Sequence, residues 1–230
     1  MSTKMKENAS IETAVNVVDS ISAALESDPA ASLLAPPWVA MRNKADGLAE
    51  NGRKLDRDAL RARSRLTVQD SQWDTTVAAF GRAVVDASGG RRDQAPYTRF
   101  FAKTTPSAAQ DFGIGREIEL GRSWLAELSR NPSEALAQIW TPKLKEATDA
   151  LEMAFNQRND TMKAIGPQRT SVVLFIDDVN RELDRLEGDL KKLFPGNPDR
   201  VASYLAATRN SRPATEPDQP PEPAPVTAGK

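Results

Sequence analysis

Apolar positions fall into two long stripes, and most of the chain can be read from them. Alternating steps of four and three residues from Leu144 pass through Leu151, Phe155, Met162, Ile165, Val172, Ile176, Val179, Leu183, Leu186 and Leu190 to Leu193. Of the fifteen positions on this path only Thr148, Arg158 and Arg169 are polar. A 3.5-residue spacing puts one side chain per turn on a single seam, so the segment is expected to be a long helix that buries that seam against another helix. The same steps shifted back by 103 residues give an earlier stripe running from Met41 through Leu48, Leu55, Leu66, Trp73 and Phe80 to Ala87.

The flanking segments fit the same plan. Residues 1–9 are polar and read as a flexible N-terminus. Ser10 is an N-cap for a helix carrying Ile11, Ala14, Val17, Val18, Ile21 and Leu25. Asp28-Pro29 offers a new start, and Pro36-Pro37 opens a helix of about fifty residues, roughly 75 Å at 1.5 Å per residue. Gly89-Gly90 ends it. Tyr97, Phe100 and Phe101 mark a short amphipathic helix, and Thr105-Pro106 opens another that is expected to run through Ile114, Trp124 and Leu128. The second long helix follows and stops at Phe194-Pro195-Gly196. A closing helix runs from there to about Arg209.

Asn131-Pro132 stands 103 residues after Asp28-Pro29, and Leu25, Ile21 and Leu48 have Leu128, Trp124 and Leu151 at the same offset. The chain therefore reads as a tandem duplication of a helical module of about 103 residues, repeat 1 over 10–104 and repeat 2 over 105–209. One apolar face cannot bury itself alone, so the repeats are expected to pack as one elongated all-α bundle. At Gly166-Pro167 two readings stand, a kinked continuous helix or a hairpin. The seam keeps its seven-residue phase from Leu151 to Leu186, which favours the continuous helix. From 210 onward Pro213, Pro217, Pro220, Pro221, Pro223 and Pro225 describe a disordered tail with PxxP spacing.

Composition narrows the chemistry more than the partner. The 230 residues are 27% charged and 39% hydrophobic, with 31 Lys plus Arg against 32 Asp plus Glu. This balance names no polyanionic or polycationic partner. Neither cysteine nor histidine occurs. The first absence removes thiolate chemistry and sulfur ligands, the second the commonest general base and the usual transition-metal ligand. The expectation is a non-catalytic protein with no cofactor and no metal. No run approaches the ~20 apolar residues of a membrane span. Nothing resembles a secretory signal, so the cytoplasm is the expected compartment.

The sharpest charged pattern is Arg53, Arg57, Arg61 and Arg65, at i, i+4 spacing and joined by Lys54 and Arg63. Eight basic and four acidic residues between Arg42 and Arg65 leave a local balance of +4. Such a stripe has the form of a phosphate-tracking surface, although it lacks interleaved stacking aromatics. It also has the form of a solvated face answering the acidic run Asp177, Asp178, Glu182, Asp184, Glu187 and Asp189. That run alternates with Arg181, Arg185 and Lys191, as a salt-bridged surface does, and is not read as a cation site. Arg158 and Arg169 interrupt the seam and are expected to snorkel outward. Gly113, Gly115 and Gly121 follow no strand and do not make a phosphate loop. The four tryptophans read as core.

The functional reading is a helical scaffold or assembly protein working through its exposed helix faces, as monomer or homodimer, with an unidentified protein partner. The alternative is a nucleic-acid-associated helical protein using Arg53, Lys54, Arg57, Arg61 and Arg65.

Overall fold

The structure is a computed structural model that describes residues 4–6 and 8–209, the side chains at 207 and 209 excepted. The proline-rich stretch from 210 lies outside the described residues. Within them the chain is helical and no strand forms: α1 Ile11–Ser27, α2 Ala35–Ala87, α3 Tyr97–Phe101, α4 Pro106–Ala109, α5 Ile114–Ser129, α6 Ala135–Leu193, α7 Pro198–Tyr204 and α8 Ala206–Arg209. No helix among the described residues is long and apolar enough to cross a membrane.

Local chemistry sets most of the boundaries. The Ser10 hydroxyl accepts from the Thr13 amide at 3.2 Å and starts α1. Pro36 and Pro37 lie in the first turn of α2, where a missing N–H costs nothing. At its other end the Gly90 amide returns to the Val85 carbonyl at 2.9 Å, with Gly89 at φ 63° and Gly90 at φ 81°, conformations that favour glycine. α6 runs unbroken through Pro167, and through Pro142 as well. Pro167 donates no backbone bond, and the buried residues of α6 nearest to it are Ala154 and Phe175.

Two expectations are corrected. The helix opened by Thr105-Pro106 stops after one turn, at Ala109, and a new one starts at Ile114 because Gly113 is extended, at ψ 148°. Likewise Leu205 leaves helical geometry and divides the closing segment into α7 and α8.

The chain divides into two compact units, Met1–Asn51 with Gln168–Lys230, and Gly52–Pro167. Each draws helices from both halves of the chain, since α2 and α6 contribute to both. In the first unit Val18, Ile21 and Leu25 of α1 pack with Trp38 and Ala45 of α2 and with Phe175, Ile176, Leu183 and Leu190 of α6. The N-terminal stretch is not wholly loose. Met5 is buried in this core, its amide donating to Asn180 Oδ1 at 2.8 Å and its carbonyl accepting from Asn180 Nδ2 at 3.2 Å. A single methionine in a polar stretch anchors it, which hydropathy averaged over nine residues conceals.

Asp28 closes this unit. It accepts from the Ala30 amide at 2.9 Å, from Arg200 of α7 at 2.7 Å and from the Tyr204 hydroxyl. Arg200 also lies 3.9 Å from the Phe194 ring centroid, and Phe194 stacks on Tyr204 at 5.9 Å. These donors hold the Asp28 carboxyl down at about 2, with the Tyr204 bond the largest cause and the Arg200 bond next. The folded pKa is below the unfolded one, so this stabilisation is complete above about pH 4 and is lost as the pH falls toward 2. Thermal melts from pH 5 to 2 are expected to fall more steeply for the native chain than for Asp28→Asn. Parallel slopes would contradict the assignment.

The second unit is aromatic at its centre. Phe80 meets Phe100 edge-on at 5.2 Å, Trp140 at 5.5 Å, Phe101 at 5.7 Å and Trp124 at 5.9 Å, and Trp73 stacks on Trp124 at 6.1 Å. Trp124 Nε1 donates to the Phe100 carbonyl at 3.0 Å, tying α5 to α3. α5 approaches α6 closely at Gly121, where a Cβ would overlap Thr148.

Candidate functional site

A helix turns about 100° per residue, so residues four apart drift about 40° and rise about 6 Å. Arg53, Arg57, Arg61 and Arg65 therefore trace one oblique band along α2. Burial shows which way the band faces. Leu55 and Ala59 are half-buried and Ala62 and Leu66 are buried, whereas all four arginines and Lys54 are exposed. The band lies on the side of α2 away from the core of its unit.

Its charge is little used within the chain. Arg61 stands 3.8 Å from Asp58 and Arg65 donates to Gln157 Oε1 at 3.2 Å, both at exposed sites where such contacts are worth a fraction of a kcal/mol. Arg53, Lys54 and Arg57 have no hydrogen bond or ion pair among the described residues. The structure thus gathers all five sequence-identified residues on one surface. It adds two that charge reading passed over. Leu60 is 66% exposed and Val68 52% exposed. Each follows an arginine of the band by three residues, Arg57 and Arg65 respectively, so each flanks the band at about 60° around the helix. The signal was present in the sequence as two aliphatic residues out of phase with the seam.

The acidic run on α6 does not find its counter-charges in this band. Lys44 meets Asp178 at 2.9 Å and Lys4 meets Asp184 at 2.9 Å. Within the helix Arg181 bonds Asp178, while Arg185–Glu182 at 3.2 Å, Lys191–Glu187 at 2.7 Å and Lys192–Asp189 at 2.9 Å complete the run. Partners three or four residues away on the same helix are closer than any distant stripe. The Asp178 carboxyl is held below its ordinary value, chiefly by the Lys44 bond. Among the described residues no three carboxylates are placed to hold a metal ion.

The seam is buried only toward its ends. Leu144 and Leu151 are buried, as are Ile176 and Leu183, but between Ala154 and Phe175 no residue of α6 is buried. Arg158 and Arg169 lie in that interval and are exposed, so they need no buried partner. Trp38, Trp73 and Trp124 are core residues, and Trp140 is half-buried against Phe80.

The largest surprise is inside the second unit. Glu117 of α5 is 2% exposed and its Oε2 has no hydrogen-bond partner, as is true of Oδ1 of the neighbouring Asp74. Glu117 is buried with Gly121 and Trp124 on the packed face of α5. An open groove of about 620 Å³, lined by Gln72, Thr76, Ala79, Trp140, Lys143 and Ala147, converges no set of reactive groups.

Comparison with protein-family models, curated proteins and solved structures finds no match.

Proposed function

We propose that this chain is a non-catalytic helical scaffold whose outward face of α2, from Arg53 to Val68, docks an acidic amphipathic helix of a protein partner. The observation that carries this reading is the arginine band of α2 with exposed Leu60 and Val68 flanking it. A helix with carboxylates four residues apart would meet Arg53, Arg57, Arg61 and Arg65, and its apolar positions would cover the two aliphatic side chains. A phosphate backbone would leave Leu60 and Val68 exposed. Arginine and an apolar centre are the usual anchors of protein interfaces. The reading assigns no catalytic step, cofactor or metal, and it places the protein in the cytoplasm.

The scaffold itself reads as a duplicated module. Residues 103 apart that are buried in separate units support this: Ile21 and Trp124, Leu25 and Leu128, Ala45 and Thr148, Trp73 and Ile176, Phe80 and Leu183. So do the two corners. Asp28 is gripped by Arg200 of α7, while Arg99 of α3 bonds Glu127 and Glu134 on either side of Asn131-Pro132.

Affinity capture from the native cell tests the function, with and without nuclease. The expected result is a nuclease-resistant protein partner that is lost with Arg57→Glu plus Arg61→Glu and weakened at least tenfold by Leu60→Ser. Material released by nuclease, or a partner indifferent to both variants, would overturn the reading in favour of nucleic acid or another face.

A further inference from the structure

Glu117 sits in the first turn of α5, four residues before Gly121, on the face that packs into the second unit. It is 2% exposed. A carboxyl buried this far is costly as an anion unless a cation or several N–H groups answer it. What faces Glu117 does the opposite. From α2 come Asp70 and Asp74, and Asp111, in the segment before α5, acts in turn on Asp74. From α6 the side chain seated against this stretch of α5 is the uncharged Thr148, at Gly121. Two further observations define the cluster without reference to titration. Glu117 Oε2 and Asp74 Oδ1 are both buried and unpartnered, and so is Thr148 Oγ1. The buried donors Thr148 Oγ1 and Trp73 Nε1 are themselves unpartnered and bond neither carboxyl, so a proton on Glu117 supplies a donor that its neighbours do not.

We infer that Glu117, Asp70 and Asp74 form a proton-operated latch, which holds α5 against α2 while Glu117 is protonated and loosens it when that proton passes to solvent. In the closed state the Glu117 hydroxyl donates to the Asp70 carboxylate, one proton shared between two carboxyls across the α2–α5 contact. Loss of the proton breaks that bond, leaves two facing carboxylates and adds the nearby Asp74 to the repulsion. The contact that loosens includes the Trp73–Trp124 stack. Burial, followed by the bond and charge of Asp70, pushes the Glu117 carboxyl up to about 8, and burial with Asp70 and Asp111 raises Asp74.

The sign is set by these directions. Folded Glu117 keeps its proton where the unfolded chain has released it, so stability falls as the pH rises from the ordinary carboxylate range toward about 8. The latch is therefore tight in mild acid and slack in mild alkali. It is a device of the second unit and is independent of what α2 docks.

The full chain tests it in two ways. In carbon-13 glutamate titrations the resonance missing from Glu117→Gln is expected to have its midpoint near pH 8. A midpoint below about 5.5 would overturn the latch. Hydrogen exchange of residues 114–129, corrected for intrinsic rates, is expected to accelerate at least tenfold between pH 6.5 and 9 in the native chain and to stay level in Glu117→Gln. Equal pH dependence in both would also overturn it. Asp70→Asn, which removes one facing charge, is expected to move the Glu117 midpoint down by at least one pH unit. It reports on the latch even if Glu117→Gln does not fold, and an unmoved midpoint would exclude the pairing.

Discussion

Phe80→Ala is expected to destabilise the second unit by about 3–5 kcal/mol, enough to exhaust much of the stability of an ordinary domain. Phe80 is fully buried, and its ring lies within 6 Å of four others, from α3, α5 and α6. Truncation removes the apolar area and opens a cavity among large rigid rings that cannot slide inward. It also forfeits the edge-on contact with Phe100, worth about 0.5–1.5 kcal/mol beyond area alone. Three of the four tryptophans, Trp73, Trp124 and Trp140, lie in this unit, so its loosening is visible as a red shift of the emission. Denaturant unfolding gives the magnitude, and segment-resolved hydrogen exchange gives the place, with protection falling most in 97–101 and 114–129. A loss below about 1 kcal/mol would mean that the aromatic centre is not the core of the unit.

Leu183→Ala is the corresponding expectation for the first unit, at about 2–5 kcal/mol. Leu183 is fully buried among Ile21, Leu25, Phe175 and Val179. Here the surrounding side chains are mostly aliphatic and more able to collapse, so the effect is expected to be smaller than that of Phe80→Ala. Protection should fall most in 11–27 and 172–190, and the emission should change less than with Phe80→Ala, since Trp38 is the only tryptophan on this side of the division. If both substitutions lowered protection equally along the whole chain, the division into two units would have no energetic counterpart.

Much of the architecture was legible because it rests on two period signals. The 3.5-residue stripe is long enough to specify a helix without help from propensity, and it carried α6 correctly across Pro167. Ser10, Asp28-Pro29 and Gly89-Gly90 marked boundaries through local backbone chemistry. The failures have local causes as well. Gly113 falls inside the helix expected from Thr105-Pro106, whereas its extended backbone ends one helix and starts the next. The uninterrupted phase of the seam from Leu151 to Val172 suggested continuous burial. Phase fixes which way a side chain points, though not whether another helix is there to cover it, and Arg158 and Arg169 were the hint that cover is lacking.

The candidate surface was half legible. Arg53, Arg57, Arg61 and Arg65 stand out by charge and spacing. Leu60 and Val68 gain their meaning only when the core side of α2 is known, because an aliphatic residue is ordinary until it is seen to face away from every apolar neighbour. Glu117 was hidden for the converse reason. A glutamate between Arg116 and Ile118 reads as helix surface, and only the approach of α2 and α6 turns that position inward.

The most direct test of the docking reading is photocrosslinking in the native cell, with a photoreactive residue placed in turn at Leu60, at Val68 and, as an exposed control, at Leu33, which is 90% exposed. The account predicts a discrete protein adduct from positions 60 and 68, none from position 33, and loss of that adduct when Arg57→Glu and Arg61→Glu are introduced alongside. Equal labelling at all three positions, an adduct that survives the charge reversal, or an adduct to nucleic acid would contradict it.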